Sequence, residues 1–454
     1  MIEVQNPYTK KIVGAAEETN LNEIEQILTA AHNTKYTLSV KERAGILARA
    51  ADLLQTNKKK YAHTITDESG LCLKDTLYEI DRVTSAARYA AIAAERIERD
   101  TTPEYILDDK QGPKLTVITE PLDLAVGITP FNHPMNQVAH KVFPAVAAGT
   151  PIIIKPSEKT PLSAILLKNI LEEAGLPKNL FIIVINKEIE KLVGMLVTSI
   201  LVDVVSFTGS YDVGNKIAAM TGLKKFIPEL GGSSAFIVND DADLELAAKL
   251  AVKGCFGNSG QRCTAIRRII VLKNIADEFI KKFVANTEKI KYGDPYDLGT
   301  DMGTVINEEA ATRIQDRVKK AIQDGAKLLY GNKREGALYS PTILDNVSVS
   351  SELVDCETFG PVAPIIRARD LDEALQIAKN TKYALAGAIA TKSRDTAKRV
   401  ADALIVGQFS WNGIPGYRTE AAPFGGFKHS GNGEKEGIVL ATRAMRKIRT
   451  FYEH

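Results

Sequence analysis

Cys263 stands in Gly260-Gln261-Arg262-Cys263-Thr264, a glycine-punctuated stretch ahead of an apolar run, with an arginine beside it. A loop thiol next to a cation is where a lowered pKa and a nucleophile are expected. Glu229 lies between Pro228 and Leu230-Gly231-Gly232, a mostly apolar, glycine-hinged turn in which desolvation would raise a carboxylate toward the range of a useful base. Asn132, in Pro130-Phe131-Asn132-His133-Pro134, follows an apolar run and could donate to an oxyanion. Each has an ordinary alternative: a structural cysteine, an exposed loop glutamate, an asparagine that merely serves a turn. Cys255 lies in a more apolar run and Cys72 sits between Leu71 and Leu73, so both fit structural roles better.

Gly209-Ser210-Tyr211-Asp212-Val213-Gly214-Asn215-Lys216 follows an apolar run and suits a strand-to-helix turn whose backbone N–H groups face a phosphate. It misses the P-loop, which needs Ser or Thr after Gly-Lys, so a phosphotransferase that binds a nucleoside triphosphate is a remote alternative. Gly431 to Gly437 has the wrong glycine spacing for a dinucleotide fingerprint and reads as a loop. His133 and His140 lack other ligand-type neighbours, so no metal site is expected.

The elements that must position these residues follow from periodicity. Asn20-x-x-Glu23 and Ser39-x-x-Glu42 read as capping boxes opening helices whose apolar faces are Ile24, Ile27, Leu28, Ala31 and Ile46, Leu47, Ala50, Leu53, Leu54. From Leu115 to Pro130 the sequence alternates like a strand. Strand candidates Ile152 to Ile154, Phe181 to Ile185 and Val202 to Phe207, with a helix from Pro161 to Ala174, then follow β-α-β grammar. A second such block holds strands Ala235 to Val238, Ile269 to Leu272 and Pro364 to Arg367, with helices Asp277 to Lys291 and Leu371 to Asn380. The chain is expected to end on a strand through Ile448 to Tyr452 that pairs elsewhere. The expected class is α/β, two Rossmann-like parallel-sheet domains in series plus a small β flap.

The chain has 454 residues, 44% apolar and 25% charged, enough for a large core and about three domains by length. Lys plus Arg is 58 against 56 Asp plus Glu, a net +2, so no global field draws in nucleic acid or an anionic membrane. The uncharged run Val142 to Ile154 falls far short of the roughly 20 residues of a spanning helix. With no secretory signal at the start and four cysteines that form no C-x-x-C pair, the expected compartment is the cytosol.

Pro130-Phe131-Asn132-His133-Pro134, Lys155-Pro156-Ser157-Glu158, Phe207-Thr208-Gly209-Ser210, Glu229-Leu230-Gly231-Gly232, Gly260-Gln261-Arg262-Cys263, Glu357-Thr358-Phe359-Gly360-Pro361 and Pro423-Phe424-Gly425-Gly426 together resemble the aldehyde dehydrogenase superfamily. They run in family order across almost the whole chain. The resemblance implies Cys263 as nucleophile, Glu229 as base for deacylation, and Asn132 with the Cys263 backbone N–H as oxyanion donors. It implies a cofactor site in which Lys155, Ser157 and Glu158 meet the adenosine ribose, Gly209, Ser210 and Gly214 the pyrophosphate, and Leu230, Glu357 and Phe359 the nicotinamide end.

Relatives that pass the acyl group to coenzyme A often lack the glutamate, so Glu229 implies hydrolysis. Glu158 would repel a 2′-phosphate, so NAD is expected ahead of NADP, which Lys155 still admits. The implied domains are a cofactor unit at 1–102 and 122–230, a catalytic unit at 231–430, and an oligomerisation segment at 103–121 and 431–454, giving a homodimer or homotetramer. The start lacks the leading hairpin many members carry.

Arg82, His133, Arg262 and Arg418 are expected to gather around the substrate and suit a small anionic aldehyde. Arg82 could instead pair with Glu79 or Asp81, and Arg418 could be a solvated loop charge. Phe131 to His140, Gln261 to Ala265, Pro415-Gly416-Tyr417-Arg418 and Arg334 to Tyr339 are similar to phosphonoacetaldehyde-oxidising members of the superfamily. Sulfoacetaldehyde, sulfolactaldehyde and glyceraldehyde 3-phosphate are the competing substrates.

Overall fold

The computed structural model describes residues 1–97 and 114–453. The expected domain boundary at 102 and residues 103–113 of the expected flap lie outside them.

Short, uniformly apolar runs become the interior strands of a five-stranded parallel sheet, because only a strand covered on both faces can be apolar throughout. Its order across the sheet is Phe181–Ile183, Ile152–Lys155, Ala125–Ile128, Val204–Thr208, Lys225–Glu229. Helices Val40–Thr56, Leu73–Ile97 and Pro134–Ala148 pack on one face, and Ile24–His32 with Ile189–Thr198 on the other. The chain reverses its direction of travel across the sheet between Ala125–Ile128 and Val204–Thr208. The carboxyl ends of that pair form the crevice where open α/β sheets hold ligands.

Only Leu230 to Ser233 separate the last strand of this sheet from Ser234–Val238, an interior strand of a second one. The second sheet runs Lys327–Tyr330, Thr342–Asp345, Val362–Ala368, Ile266–Leu272, Ser234–Val238, Ala386–Ala390, Gln408–Trp411. Every neighbouring pair is parallel except Lys327–Tyr330 with Thr342–Asp345 at one edge. The expected two-sheet α/β class is therefore the observed one, with strand and helix ends displaced by a few residues.

The stretch read as continuous alternation from Leu115 divides in two. Lys114–Pro121 forms an antiparallel ribbon with Arg446–Glu453, and Ala125–Ile128 enters the first sheet. Ile438, Ala444 and Met445 lie in the core of the first sheet, so a helix inside the segment expected to serve oligomerisation helps complete that core. The start also departs from expectation. Ile2–Gln5 and Ile12–Ala16 form a hairpin, closed by Asn6, whose side chain accepts from the N–H groups of Tyr8 and Thr9. Among the described residues no helix is long and apolar enough to cross a membrane.

The Ser39–Glu42 capping box forms with both of its bonds, whereas Asn20 caps by accepting from Asn22 N–H. Two buried carboxylates do the same work from a distance. Glu68 accepts from Leu162 and Ser163 N–H at the start of helix Leu162–Glu173. Glu79 accepts from Met135 and Asn136 N–H, both at 2.9 Å, at the start of helix Pro134–Ala148. Helix N-termini leave N–H groups unpaired, and a carboxylate there is favoured by both hydrogen bonding and the dipole. Glu79 thereby fixes the turn that carries Asn132 and His133. Glu79→Ala should cost about 1–3 kcal/mol of stability through those two orphaned donors. A urea titration followed by far-UV circular dichroism should show the earlier midpoint, and an unchanged midpoint would remove Glu79 from this role.

Candidate active site

Cys263, Asn132, His133, Arg82, Arg262 and Arg418 line one cavity of about 180 Å³ between the two sheets. Asn132 and His133 come from the turn after Ala125–Ile128, at the crevice of the first sheet, and Arg82 from the long helix Leu73–Ile97. Arg262 and Cys263 sit between the tight turn Gly257–Gly260 and strand Ile266–Leu272, and Arg418 follows Gln408–Trp411. Four distant stretches of sequence thus converge. Glycine makes the convergence possible: a Cβ on Gly232 would collide with the Cys263 carbonyl oxygen, and one on Gly231 with the Glu357 carboxylate.

Cys263 departs from expectation in its acidity. Burial pushes its thiol up to about 12, and the charges of Glu357 and Glu229 add to the rise; Arg418 and Arg262 oppose it weakly. Arg262 was expected to lower it, but its guanidinium turns to the end of helix Leu244–Phe256, where Nη2 donates to the carbonyls of Lys253 (2.7 Å) and Gly254 (3.0 Å). Its charge still acts in the expected direction on the thiol, but burial and the two carboxylates outweigh it.

Glu229 ends strand Lys225–Glu229, and both of its carboxylate oxygens are buried without a hydrogen-bond partner. Its pKa is raised well above the ordinary carboxylate value, first by burial and then by the charge of Glu436. The direction matches the sequence expectation, but the surroundings are charged rather than apolar. Glu436 pairs with fully buried Lys141 at 2.6 Å, and Lys141 also donates to Ser206 and Thr208, each at 2.9 Å. Sequence reasoning missed this pair. A lone lysine inside the apolar run Val138 to Ala148 was the available signal, since lysine is rarely buried unless paired. Glu436, in a loop without periodicity, offered none.

Asn132 Nδ2 donates to the Gln261 carbonyl at 2.7 Å, which leaves its second amide hydrogen for the cavity. Arg82 pairs with neither Glu79 nor Asp81; it grips Glu420 through Nε (2.6 Å) and Nη2 (3.2 Å). His140 Nε2 meets the same carboxylate at 2.5 Å, so Glu420, too, escaped the sequence reading. Arg418 is no solvated loop charge. Its guanidinium lies 4.0 Å from the Phe424 ring centroid, and its Nη1 is buried with no partner. His133 Nδ1 stands 3.6 Å from Glu79. Among the described residues no group of three or more His, Cys, Asp or Glu gathers as a metal site.

Of the residues expected to hold a dinucleotide, Lys155, Ser157, Glu158, Gly209 and Ser210 lie at or just past the carboxyl ends of first-sheet strands, whereas Glu357 and Phe359 precede strand Val362–Ala368 of the second. Lys155 ends its strand and pairs with Glu158 at 3.3 Å, while Ser157 accepts from Lys159 N–H. Ser210 caps helix Tyr211–Thr221, whose first N–H groups open toward the same end of the sheet. The Thr129 hydroxyl, just past Ala125–Ile128, is buried without a partner, an orphan that a polar ligand in the crevice would satisfy. Gly209 and Gly214 leave space that Phe207 and Leu230 fill. Glu357, raised to about 7 by burial, accepts from Gly232 N–H, and Phe359 packs edge-on against Phe131. Lys216 lies 3.7 Å from Glu190 on the exposed side of its helix, so it does not supply the lysine of a triphosphate site.

The sequence matches the model of the "Aldehyde dehydrogenase family" over residues 1–451. It is 37% identical to a lactaldehyde dehydrogenase of Methanococcus aeolicus, covering 99% of this chain and 96% of that one. It is 35% identical to a 3-sulfolactaldehyde dehydrogenase of Priestia aryabhattai, covering 99% and 94%. The fold superposes with a TM-score of 0.94 on a glyceraldehyde-3-phosphate dehydrogenase of Methanocaldococcus jannaschii solved with NADP, at 33% identity over 100% of this chain and 98% of that one. Likeness of sequence and of fold thus runs the length of the chain around the cavity of Cys263, and the chain belongs to the aldehyde dehydrogenase family, oxidoreductases that act on an aldehyde group.

Proposed function

We propose that this chain oxidises a small anionic aldehyde to its carboxylate with NAD and without acyl transfer, phosphonoacetaldehyde to phosphonoacetate being the first choice. The observation that carries the reading is Arg418, which lines the cavity that also holds Cys263 and whose buried Nη1 has no partner, while Nη2 stands 4.0 Å from Glu420. A buried donor without a partner is costly unless a ligand completes it. Sulfoacetaldehyde, sulfolactaldehyde and glyceraldehyde 3-phosphate would offer the same arginine a similar tetrahedral oxyanion. The names of two relatives, one for 3-sulfolactaldehyde and one for glyceraldehyde 3-phosphate, support that chemical class.

In this reading Cys263 gives its proton to solvent water and its sulfur attacks the aldehyde carbon, while Asn132 and the Cys263 backbone N–H hold the oxygen that gains charge. NAD, when bound at the crevice, supplies the hydride acceptor. Lys155, Ser157 and Glu158 would hold its ribose, Ser210 its pyrophosphate, and Leu230, Glu357 and Phe359 its nicotinamide end. The Glu158 carboxylate disfavours a 2′-phosphate, and Lys155 leaves NADP usable. The thioester on Cys263 is then cleaved by water that gives its proton to Glu229, releasing the carboxylate and the thiol. The same reading assigns the ribbon of Lys114–Pro121 and Arg446–Glu453 to subunit contact, since Ile448, Phe451 and Tyr452 lie exposed on it.

Because Cys263 rests as a thiol with a raised pKa, its alkylation by iodoacetamide without cofactor should accelerate about tenfold per pH unit from pH 7 to 9. Subtraction of the Cys263→Ala background isolates it, and a plateau below pH 8 would show a pre-activated thiolate. Cys263→Ala itself should abolish NADH formation.

Glu229→Gln should release a single burst of NADH per site and then stall, measured by stopped-flow absorbance. Steady turnover in that variant would remove Glu229 as the hydrolytic base.

Arg82 is a poor probe of charge recognition, because its guanidinium is committed to Glu420, and its loss removes two of that buried carboxylate's hydrogen bonds. Arg418→Met should lower kcat/KM for phosphonoacetaldehyde about ten- to a hundredfold more than for propionaldehyde, the value of one charge-assisted bond of about 1.5–3 kcal/mol. Equal losses for both aldehydes would sink the anionic-substrate reading.

A further inference from the structure

The turn ahead of Cys263 is wound the wrong way for ordinary residues. Asn258 (φ 59°, ψ 36°), Ser259 (φ 52°, ψ 30°) and Gly260 (φ 68°) are left-handed in succession. Glycine accepts this region freely and asparagine better than most residues, whereas a left-handed serine is uncommon. Such a run persists only where its surroundings over-determine it. Here they do. Asp75 accepts from Asn258 N–H at 3.0 Å, and Ser259 Oγ donates to the Gly303 carbonyl at 3.1 Å. Buried Arg267 clamps the carbonyls of Gly260 (2.5 Å) and Gly360 (2.8 Å), and a Cβ on Gly260 would collide with Gly360.

What this winding delivers is the Asn258 side chain. Its Nδ2 donates to the Asn132 carbonyl at 2.9 Å and reaches the Gln261 carbonyl at 3.4 Å. The Gln261 carbonyl is the one that Asn132 Nδ2 binds at 2.7 Å. Backbone and side chain of Asn132 are therefore both tied to one buried corner, 4% exposed at each asparagine. The Gln261 side chain anchors that corner by accepting from Ile306 N–H at 2.9 Å.

We infer that Asn258 is a positioning residue for the oxyanion donor: it holds Asn132 so that the amide hydrogen left over by Gln261 faces the oxygen on the carbon attacked by Cys263. The inference rests on the assignment of Cys263 and Asn132 made above. Asparagine meets both demands at this place, since it tolerates the left-handed backbone and carries an amide donor. Glycine would meet only the first. Aspartate would meet the first and replace the donor with an acceptor facing two carbonyls.

Two reagents that need Cys263 separate positioning from general damage, and neither requires the natural aldehyde or a cofactor. p-Nitrophenyl acetate acylates the thiol through a tetrahedral oxyanion and releases p-nitrophenolate. Iodoacetamide alkylates the same sulfur by displacing iodide, with no oxyanion formed. Asn258→Gly and Asn258→Asp should slow Cys263-dependent p-nitrophenolate release about tenfold or more, the scale of a misplaced oxyanion donor. Iodoacetamide alkylation should change less than about twofold. Asn132→Ala should be slower still with the ester, and adding Asn258→Gly to it should cause no further loss, as expected of residues acting in series.

Equal slowing with both reagents would mean that Asn258 supports the cysteine loop alone. Wild-type ester rates in Asn258→Gly, or losses that multiply in the double variant, would likewise overturn the inference. If Asn132→Ala itself reacts normally with the ester, the oxyanion assignment fails first and takes the inference with it.

Discussion

The cost of placing charge below the protein surface governs this molecule. Ions removed from water are tolerated only when paired and hydrogen-bonded, and breaking such a pair is far more damaging than never having built it. The interior obeys that rule closely. Lys141 has Glu436, Ser206 and Thr208; Arg82 and His140 share Glu420; Glu68 and Glu79 end on helix N–H groups. Among the buried polar atoms without a partner are both oxygens of Glu229, Nη1 of Arg418 and the Thr129 hydroxyl. They lie where water, substrate and cofactor would enter in the proposed reaction.

Geometry follows from the short link between the sheets. Glu229 ends one sheet and Ser234 begins the other, so the link must pass the Cys263 loop at close range. Gly231 and Gly232 permit that approach, and Gly232 N–H is bound by Glu357 from the far side. Glu229, Cys263 and Glu357, the residues that the proposed reaction assigns as base, nucleophile and nicotinamide contact, are thus tied to one turn. This close approach is what Gly231 and Gly232, which have no chemistry of their own, make possible two and three residues after the glutamate.

Much of this was legible in the sequence, because burial on two faces writes itself as uniform apolar runs and capping as residue types at fixed spacing. Ile152 to Ile154 and Ala235 to Val238 could be read as strands on those grounds, and Cys263, Glu229 and Asn132 could be singled out by type and neighbourhood. Their electrostatics could not. Arg262 adjoins Cys263 along the chain, yet its side chain caps a helix end formed by Lys253 and Gly254. Acidity depends on what is near in space, and Glu357 lies far from Cys263 in sequence. Glu420 and Glu436 stayed hidden for the same reason, since their partners Arg82, His140 and Lys141 come from helices hundreds of residues earlier. The leading hairpin was missed because its turn is made by the Asn6 side chain rather than by a glycine pair.

The helix Ile438–Ala444 gives the molecule a direction in time. It packs against helices Leu73–Ile97 and Pro134–Ala148, and its residues belong to the core built on the first sheet. Synthesis from the N-terminus therefore produces the first sheet early but withholds the residues that close its core until nearly everything else has emerged. The second sheet, formed between residues 234 and 411, has all its strands in hand sooner. A ribosome-bound intermediate would accordingly hold a finished second half beside an open first one, its apolar helix faces waiting for the tail. Exposure of that kind is what chaperones recognise and what aggregation exploits. Loss of the tail would thus damage the half of the protein encoded farthest from it.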